Sequence, residues 1–284
     1  MLYVFKDLYY GYSIKGETMT IINKINSAIQ NDTPISDEII TLMLTEIGSI
    51  DPVLRDNTIY LGFCNLFETE RLNLAQKNLI LNNVLTENKL FLNIDGPTSD
   101  SVFARSFTSL LMVILLEDHY KNPWIASKDE KALVMDAVRY FRVENDNRGF
   151  IEEKGWAHAF AHGADLIASA SRSVYFQEIE VVQCLEATRR ALVDVGGFLY
   201  GEEGRLAKAS TNMRVYEKLN DAVFAEWLGN NSRHLDDLQQ YEVCWKNYLL
   251  ALNFTLMNEN VLGEKTERAI KMSLNLFYKR YRSF

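Results

Sequence analysis

Apolar residues recur every three or four positions along most of this 284-residue sequence, in segments of about 10 to 20 residues separated by short polar breaks. One such segment follows Ser36, with Asp37 and Glu38 first and then apolar side chains at Ile39, Ile40, Met43, Leu44 and Ile47. This spacing is typical of a helix that buries one face and carries acidic residues near its N-terminus. Only four prolines and fourteen glycines interrupt the chain. The sequence therefore predicts an all-α protein of about eleven or twelve helices.

Helices of this length joined by short loops favour antiparallel pairs that stack side by side. A HEAT-like α/α superhelix has this texture, and an irregular α/α array or toroid is the alternative, because no clean sequence repeat is visible. A chain of this length can bury a large core. We expect a single helical domain over residues 19–284, with a weak internal break at residues 93–99, which contain Gly96 and Pro97.

Residues 1–18 differ in texture from the rest of the chain. They are rich in aromatic residues, yet they lack the apolar region and cleavage site of a signal peptide. Lys15-Gly16-Glu17 can be encoded as AAA-GGA-GAA, which contains a bacterial ribosome-binding sequence, and Met19 follows at a suitable distance. We therefore expect translation to begin at Met19, with residues 1–18 as an upstream extension.

Composition and charge exclude some classes of function. A formal net charge of −8 disfavours a nucleic-acid partner, which usually requires a basic face. The longest apolar run, Leu110 to Leu116, is too short for a membrane span, which needs about 20 residues. Cys64, Cys184 and Cys244 are isolated in the sequence, as is usual in a reducing compartment. We expect a cytoplasmic protein, with a partner and an oligomeric state that the sequence does not specify.

Only the segment from residue 144 to residue 171 shows a pattern that indicates a site. Gly149 offers a turn, and Glu152 and Glu153 place negative charge where the N-terminus of a helix favours it. Between Gly155 and Ser171 the only charged residue is Asp165. A solvated helix face normally carries several charges, so this pattern predicts a helix that is buried on most sides.

Polar side chains would share one narrow stripe of that helix at about 100° per residue. The stripe contains His158, His162, Asp165 and Ser169, whereas Trp156, Phe160 and Ile167 fall on the opposite side. Buried polar groups need partners, because an unsatisfied one costs about 1–3 kcal/mol. The stripe therefore requires a chemical explanation.

Three explanations fit His158, His162 and Asp165. The two imidazoles and the carboxylate could share a divalent transition metal such as zinc, nickel or iron. They could instead act as catalytic acid and base without a metal, since histidine titrates near neutral pH. They could also form a structural hydrogen-bond network. The zincin mechanism is excluded because Ala159 stands where the motif His-Glu-x-x-His needs Glu. The sequence requires no cofactor.

Further side chains are candidates around this stripe. Glu144, Asp146 and Arg148 would flank the mouth of a pocket, and Trp156 is a fourth candidate ligand-binding residue. Weaker candidates occur in residues 198–210, where we expect a turn between short segments or an irregular loop. These are Glu202, Glu203 and Arg205, whose charges would also be explained if the side chains were merely exposed to solvent. His119 is a separate candidate: it is either a packing residue at a helix end or a third histidine of the site.

The same segment resembles a known family. The residues that carry the resemblance are Glu144, Asp146, Arg148-Gly149, Lys154-Gly155-Trp156-Ala157-His158-Ala159, Ala161-His162 and Ala164-Asp165-Leu166. They are similar to the hallmark segment of a bacterial family catalogued as domain of unknown function 2785. Gly163 departs from the expected larger residue, and glycine within a helix costs about 1 kcal/mol relative to alanine. The resemblance implies a bacterial, largely helical protein and implies no activity.

Two functions remain open on the sequence. In the first, the protein has a site for a small molecule or a metal, with or without catalysis, at His158, His162 and Asp165. In the second, it is a helical-repeat scaffold for protein interaction, and the same segment is a buried hydrogen-bond network. In that network Asp165 accepts from a histidine, and Glu144 and Arg148 tie adjoining loops together. The sequence favours the first, because the stripe lies on a helix that is otherwise almost free of charge.

Overall fold

The computed structural model describes residues 16–31, 34–233 and 242–280. Within these ranges the chain forms twelve α-helices, which confirms the predicted all-α class. Most of the predicted upstream extension, residues 1–15, lies outside the described residues. The helices are α1 (Gly16–Gln30), α2 (Asp37–Glu46), α3 (Leu61–Glu68), α4 (Leu74–Thr86), α5 (Ser101–Lys121), α6 (Ser127–Val143), α7 (Ala159–Ala170), α8 (Glu178–Val193), α9 (Glu202–Val215), α10 (Asp221–Arg233), α11 (Glu242–Asn258) and α12 (Glu264–Arg280).

The helices pack in an array in which alternate helices are neighbours. α7 packs against α5 on one side and α9 on the other, and α9 packs in turn against α11. α6 contacts both α7 and α8, and α10 packs against α12. The row α5–α7–α9–α11 therefore places the predicted site helix in the interior of the array. No helix in the described part of the chain is both long and apolar enough to cross a membrane.

α5 supplies the centre of the core. Every residue from Val102 to Met112 is buried, including four with polar side chains, Arg105, Ser106, Thr108 and Ser109. A helix that is buried all round belongs to the interior of a protein, so α5, with the apolar run Leu110 to Leu116, lies at the centre of the core. The main hydrophobic cluster extends from Ile22 to Ile270 and draws residues from both sides of the loop at 93–99.

The segment before α3 departs from regular α-helical geometry. Residues Val53–Tyr60 form a π-helix, which runs directly into α3. π-helical geometry is rare and often accompanies functional sites. Here it directs Arg55, which is fully buried, toward the segment that contains the histidines.

A β-hairpin replaces the first part of the predicted site helix. Strands β1 (Phe150–Ile151) and β2 (Gly155–Trp156) pair antiparallel, and α7 begins only at Ala159. The turn between the strands uses positive φ at Glu153 (62°) and Gly155 (76°), which a helix cannot accommodate. Backbone hydrogen bonds from Ala157 to Gly149 and from His158 to Arg148 extend the pairing beyond the two strands. The prediction that Glu152 and Glu153 open a helix was therefore wrong.

The expected loop at residues 198–210 is largely helical. Gly201 adopts φ 82°, and α9 begins at the next residue. Glu202 and Glu203 occupy the first turn of α9, where negative charge is favourable. Both are buried, so solvation does not explain them.

Candidate functional site

His158 lies between the hairpin and α7 in a left-handed backbone conformation, with φ 47° and ψ 35°. This conformation costs about 1–2 kcal/mol for a residue with a Cβ atom, and such residues concentrate at functional sites. It turns the imidazole onto the indole of Trp156, with ring centroids 4.3 Å apart and planes within 5° of parallel. The predicted separation of Trp156 from the histidines was therefore wrong, because these residues belong to a hairpin and not to one helix.

A buried carboxylate forms a hydrogen bond with Nδ1 of His158. Nδ1 of His158 lies 3.0 Å from Oε1 of Glu202, whose side chain is 2% exposed. The other oxygen, Oε2, accepts a hydrogen bond from the backbone N–H of Tyr200. With Glu202 as the acceptor on both oxygens, Nδ1 of His158 carries the proton. Neutral His158 then has its lone pair on Nε2, which forms no hydrogen bond to any described residue.

Gly149 makes this pairing sterically feasible. A Cβ atom at Gly149 would lie 2.8 Å from Oε1 of Glu202 and would overlap the ring of Tyr200. The backbone of Gly149 therefore forms the surface on which the start of α9 rests. A side chain at this position would push Glu202 away from His158.

His162 is oriented in the same sense by α5. Its Nδ1 lies 2.7 Å from Oγ of Ser106, and the hydroxyl of Ser106 donates to the carbonyl oxygen of Ala157. A hydroxyl has one proton, so Oγ must accept from Nδ1–H of His162. The lone pair of His162 is thus also on Nε2. The rings of His158 and His162 lie 5.8 Å apart between centroids.

The surroundings of His162 keep its imidazole neutral. Burial, followed by the nearby groups of His158, Arg205 and Arg55, holds the pKa of His162 well below its usual value. Phe107 packs its ring against that of His162 in an edge-on arrangement, with 5.6 Å between centroids. His162 therefore presents a hydrogen-bond acceptor at neutral pH.

Arg55 stabilises the hairpin through hydrogen bonds to its backbone. Its Nη2 donates to the carbonyl oxygen of Lys154 at 2.8 Å, and its Nη1 donates to that of Ser49 at 2.8 Å. The guanidinium also lies over the ring of Phe103, 4.1 Å from the centroid. These contacts fix the backbone that carries Trp156 and His158.

Asp165 faces α9 and forms an ion pair there. Its carboxylate accepts from Nη2 of Arg205, whose side chain is 44% exposed. Burial raises the pKa of Asp165, while Arg205 and Lys208 oppose that effect. The structure therefore brings His158 and His162 together and places Asp165 in a separate ion pair with Arg205, less than one turn beyond His162. The expected hydrogen bond from a histidine to Asp165 is not formed in the described chain.

The described residues contain no group of three or more His, Cys, Asp or Glu side chains placed to hold a metal ion. Asp165 is engaged by Arg205 and Glu202 by His158, so two imidazole nitrogens are the donors left at this position. Structural zinc sites use four ligands and catalytic sites three. The metal version of the prediction gains no support and stays a prediction.

Glu144 is buried, and both of its carboxylate oxygens accept hydrogen bonds from the protein. It accepts from Nε and Nη2 of Arg105 at 2.7 and 2.8 Å, and from the backbone N–H groups of Asn145 and Asp146. All of this hydrogen bonding is within the protein. The geometry is that of a clasp between α5 and the end of α6.

Asp146 and Arg148 form a second clasp. The carboxylate of Asp146 accepts from Nε and Nη2 of Arg148, and the same Nη2 donates to the carbonyl oxygen of Ser99 at 2.7 Å. This pair ties the hairpin to the chain before α5.

The remaining predicted residues lie elsewhere. Ser169 donates to Glu117 at 2.6 Å. His119 is buried, and its Nδ1 accepts from the backbone N–H groups of Trp124 and Ile125. Thirteen residues of α5 separate it from Ser106, a rise of about 20 Å. His119 therefore has a packing role and is not a third histidine of the site.

Two residues that position the histidines, Ser106 and Arg55, were not found by sequence reasoning. Ser106 lies in a helix segment of mostly apolar residues, and a buried hydroxyl of this kind could have been flagged as needing a partner. Arg55 gives no such signal, because the carbonyl groups that it contacts in the hairpin lie about one hundred residues along the chain.

Comparison with known proteins adds a family and no activity. A search of curated proteins and a search of solved structures each gave no significant match. The model of the family described as "Protein of unknown function (DUF2785)" matches residues 90–254, which is more than half of the chain and includes the hairpin, both histidines and all of α9. The chain belongs to the DUF2785 family.

Proposed function

We propose that the protein binds a small molecule beside His158 and His162 and performs acid–base chemistry on it, with His158 and Glu202 as the catalytic dyad. One observation carries this proposal. The buried carboxylate of Glu202 holds Nδ1 of His158, and Nε2 of His158 has no hydrogen-bond partner in the described chain.

In this proposal Nε2 of His158 accepts a proton from water or from a hydroxyl group of the substrate. Glu202 stabilises the imidazolium that forms and keeps the ring in its orientation, as the carboxylate does in His–Asp pairs of hydrolases. A buried carboxylate is effective because charges interact more strongly where water is excluded. General acid–base catalysis of this kind contributes about 10²- to 10⁴-fold in rate.

His162 has a different role in the proposal. Its depressed pKa keeps it neutral, so Nε2 of His162 accepts a hydrogen bond from the bound molecule and orients it against His158. Asp165 holds the guanidinium of Arg205, whose positive charge acts on His162.

Aromatic side chains supply a wall for the proposed site. Trp156 covers one face of His158, and the ring of Tyr200 stands perpendicular to the indole with 5.3 Å between centroids. Tyr200 is 47% exposed. Small-molecule sites combine apolar and aromatic walls with a few placed polar groups. Among the sequence candidates, Trp156 thus stays in the proposed site, while Glu144, Asp146 and Arg148 support it from outside.

A second function, as a scaffold for protein interaction, is favoured by α11. Four of its exposed apolar residues fall on one stripe, at intervals of seven, four and three positions: Val243, Leu250, Phe254 and Met257. A contiguous exposed apolar surface often marks an interaction site. The HEAT-like repeat belongs to this second proposal. A cytoplasmic location fits both functions, since the three cysteines are free and buried.

The dyad can be tested without knowing the substrate. A metabolite library would be screened for compounds that raise the melting temperature of the wild type, and the hits would be repeated with His158→Asn and Glu202→Gln. The proposal expects hits that both variants lose and that His119→Asn, a histidine outside the site, retains. Identical hits in the wild type and both dyad variants would overturn it.

A further inference from the structure

We propose that the substrate is a small anion, and that Arg205 and Lys208 bind its carboxylate or phosphate group beside the two histidines. This inference rests on the acid–base site proposed above and adds the class of substrate. In this inference, the face of α9 next to α7 binds the anionic group of the substrate.

The first argument is placement. Arg205 and Lys208 are three residues apart on α9, so their side chains are neighbours on one face, and both are exposed. α9 packs directly against α7, and the guanidinium of Arg205 reaches Asp165, which follows His162 by less than one turn. An anion on Arg205 would therefore lie along the same edge of α7 as His162.

The second argument is the capacity of the two cations. A guanidinium has five N–H donors in a rigid fork that matches a carboxylate or a phosphate. Within the described residues Arg205 uses only Nη2, in its bond to Asp165. Lys208 forms no hydrogen bond or ion pair with the described part of the chain. Both side chains can thus bind an anion without breaking a contact that the fold uses.

The third argument is the balance of charge. The chain as a whole has a formal charge of −8, whereas the surface beside the candidate site carries a pair of exposed cations. Asp165 offsets one of the two charges and holds the guanidinium in place, and Lys208 supplies the excess. The low pKa of His162, to which Arg205 contributes, agrees with positive charge reaching the imidazole.

The alternative is that Arg205 and Asp165 form an ordinary surface ion pair with no role in binding. Exposed ion pairs are common, and most contribute little to stability or binding. α8 offers a matched control, because Arg189 is 37% exposed and forms ion pairs with Glu186 and Asp194. If exposure and charge alone were enough, Arg189 would bind anions as well as Arg205 does.

The test is a titration of the full chain with inorganic phosphate and, separately, with acetate, followed by calorimetry and by the ¹⁵N resonances of the histidines. We expect one of the two anions to bind saturably at one site and to shift Nε2 of His162. Arg205→Gln should weaken this binding about tenfold to a hundredfold, and Arg189→Gln should leave it unchanged. The anion that binds distinguishes a phosphate substrate from a carboxylate substrate.

Any of three outcomes would overturn the inference. The first is no saturable binding of either anion. The second is equal loss in Arg205→Gln and Arg189→Gln, which would mean an adventitious ion only, and the third is full binding in either Arg205→Gln or Lys208→Gln. Lys208→Gln serves where loss of Arg205 unfolds the protein, and affinity must fall in this variant too. The dyad is tested separately and without any anion, by the ¹⁵N tautomer signal of His158 in the wild type and in Glu202→Gln. Failure of anion recognition therefore leaves the dyad standing, and failure of the dyad leaves Arg205-dependent anion binding measurable.

Discussion

Glu202 and His158 form a hydrogen bond of 3.0 Å across 44 residues of sequence, between the first turn of one helix and the residue that precedes another. Both partners occupy unusual positions. His158 has a left-handed backbone, and Glu202 is a carboxylate that is almost fully buried. Each would be unfavourable alone, so the pair indicates a site whose geometry is imposed by the surrounding fold.

Replacing Glu202 by glutamine should have an effect that the same change at Glu203 lacks. Both residues are buried in the first turn of α9, so the loss of charge near the helix N-terminus is the same. Only Glu202 holds His158, whereas Glu203 accepts from Asn247. We expect Glu202→Gln to change the tautomer of His158, as measured by ¹⁵N NMR of the imidazole. Glu203→Gln should leave that spectrum as in the wild type. If both spectra match that of the wild type, the assigned dyad is wrong.

Gly149→Ala should destabilise the protein, because the new Cβ meets the ring of Tyr200 and the carboxylate of Glu202. Overpacking of this kind costs about 1–3 kcal/mol, as measured by urea unfolding. The control is Gly204→Ala in α9, where no atom lies within 4 Å of the added Cβ. That change should stabilise the protein by about 0.5–1 kcal/mol, since alanine favours a helix. Equal effects at the two glycines would contradict the close approach at Gly149.

The periodicity of the sequence predicted the helices because burial decides them. The apolar run in α5 and the sparse charge in α7 both correspond to helices in the interior of the array. The same periodicity also predicted that His158 and His162 lie close together, which is correct, but the reason for that prediction was wrong. They are neighbours because a hairpin delivers His158 to the start of α7, and not because both lie in one helix.

The hairpin and the dyad could not be derived in the same way. Two strands of two residues are too short to show an alternating pattern, and the turn depends on positive φ at Glu153 and Gly155. Glu202 is one of 38 acidic residues, and its pairing with His158 depends on how α7 and α9 pack. Local pattern carries no information about such a contact. The family match covers both partners but assigns neither a role.

Acidification should destabilise the protein in part through His162. The folded state holds the pKa of His162 well below 6.5, so the unfolded state binds the proton more readily. The contribution of His162 is therefore fully present above about pH 6.5 and is lost as the pH falls, by up to about 1.4 kcal/mol per pH unit. In His162→Gln the decrease in unfolding free energy between pH 7.5 and 5.5 should be smaller than in the wild type. An NMR titration that shows His162 protonating at or above pH 6.5 would refute this prediction.

Breaking the clasp between Glu144 and Arg105 should cost much more stability than breaking an exposed pair. Glu144→Gln leaves the buried guanidinium of Arg105 without its charged partner, and such changes cost about 3–5 kcal/mol. Glu267→Gln removes the exposed pair with Lys271 and should cost less than about 0.5 kcal/mol. Chemical unfolding of both variants measures the difference. A small loss in Glu144→Gln would mean that the carboxylate is not needed for folding, and Glu144 would then return to the candidates for ligand binding.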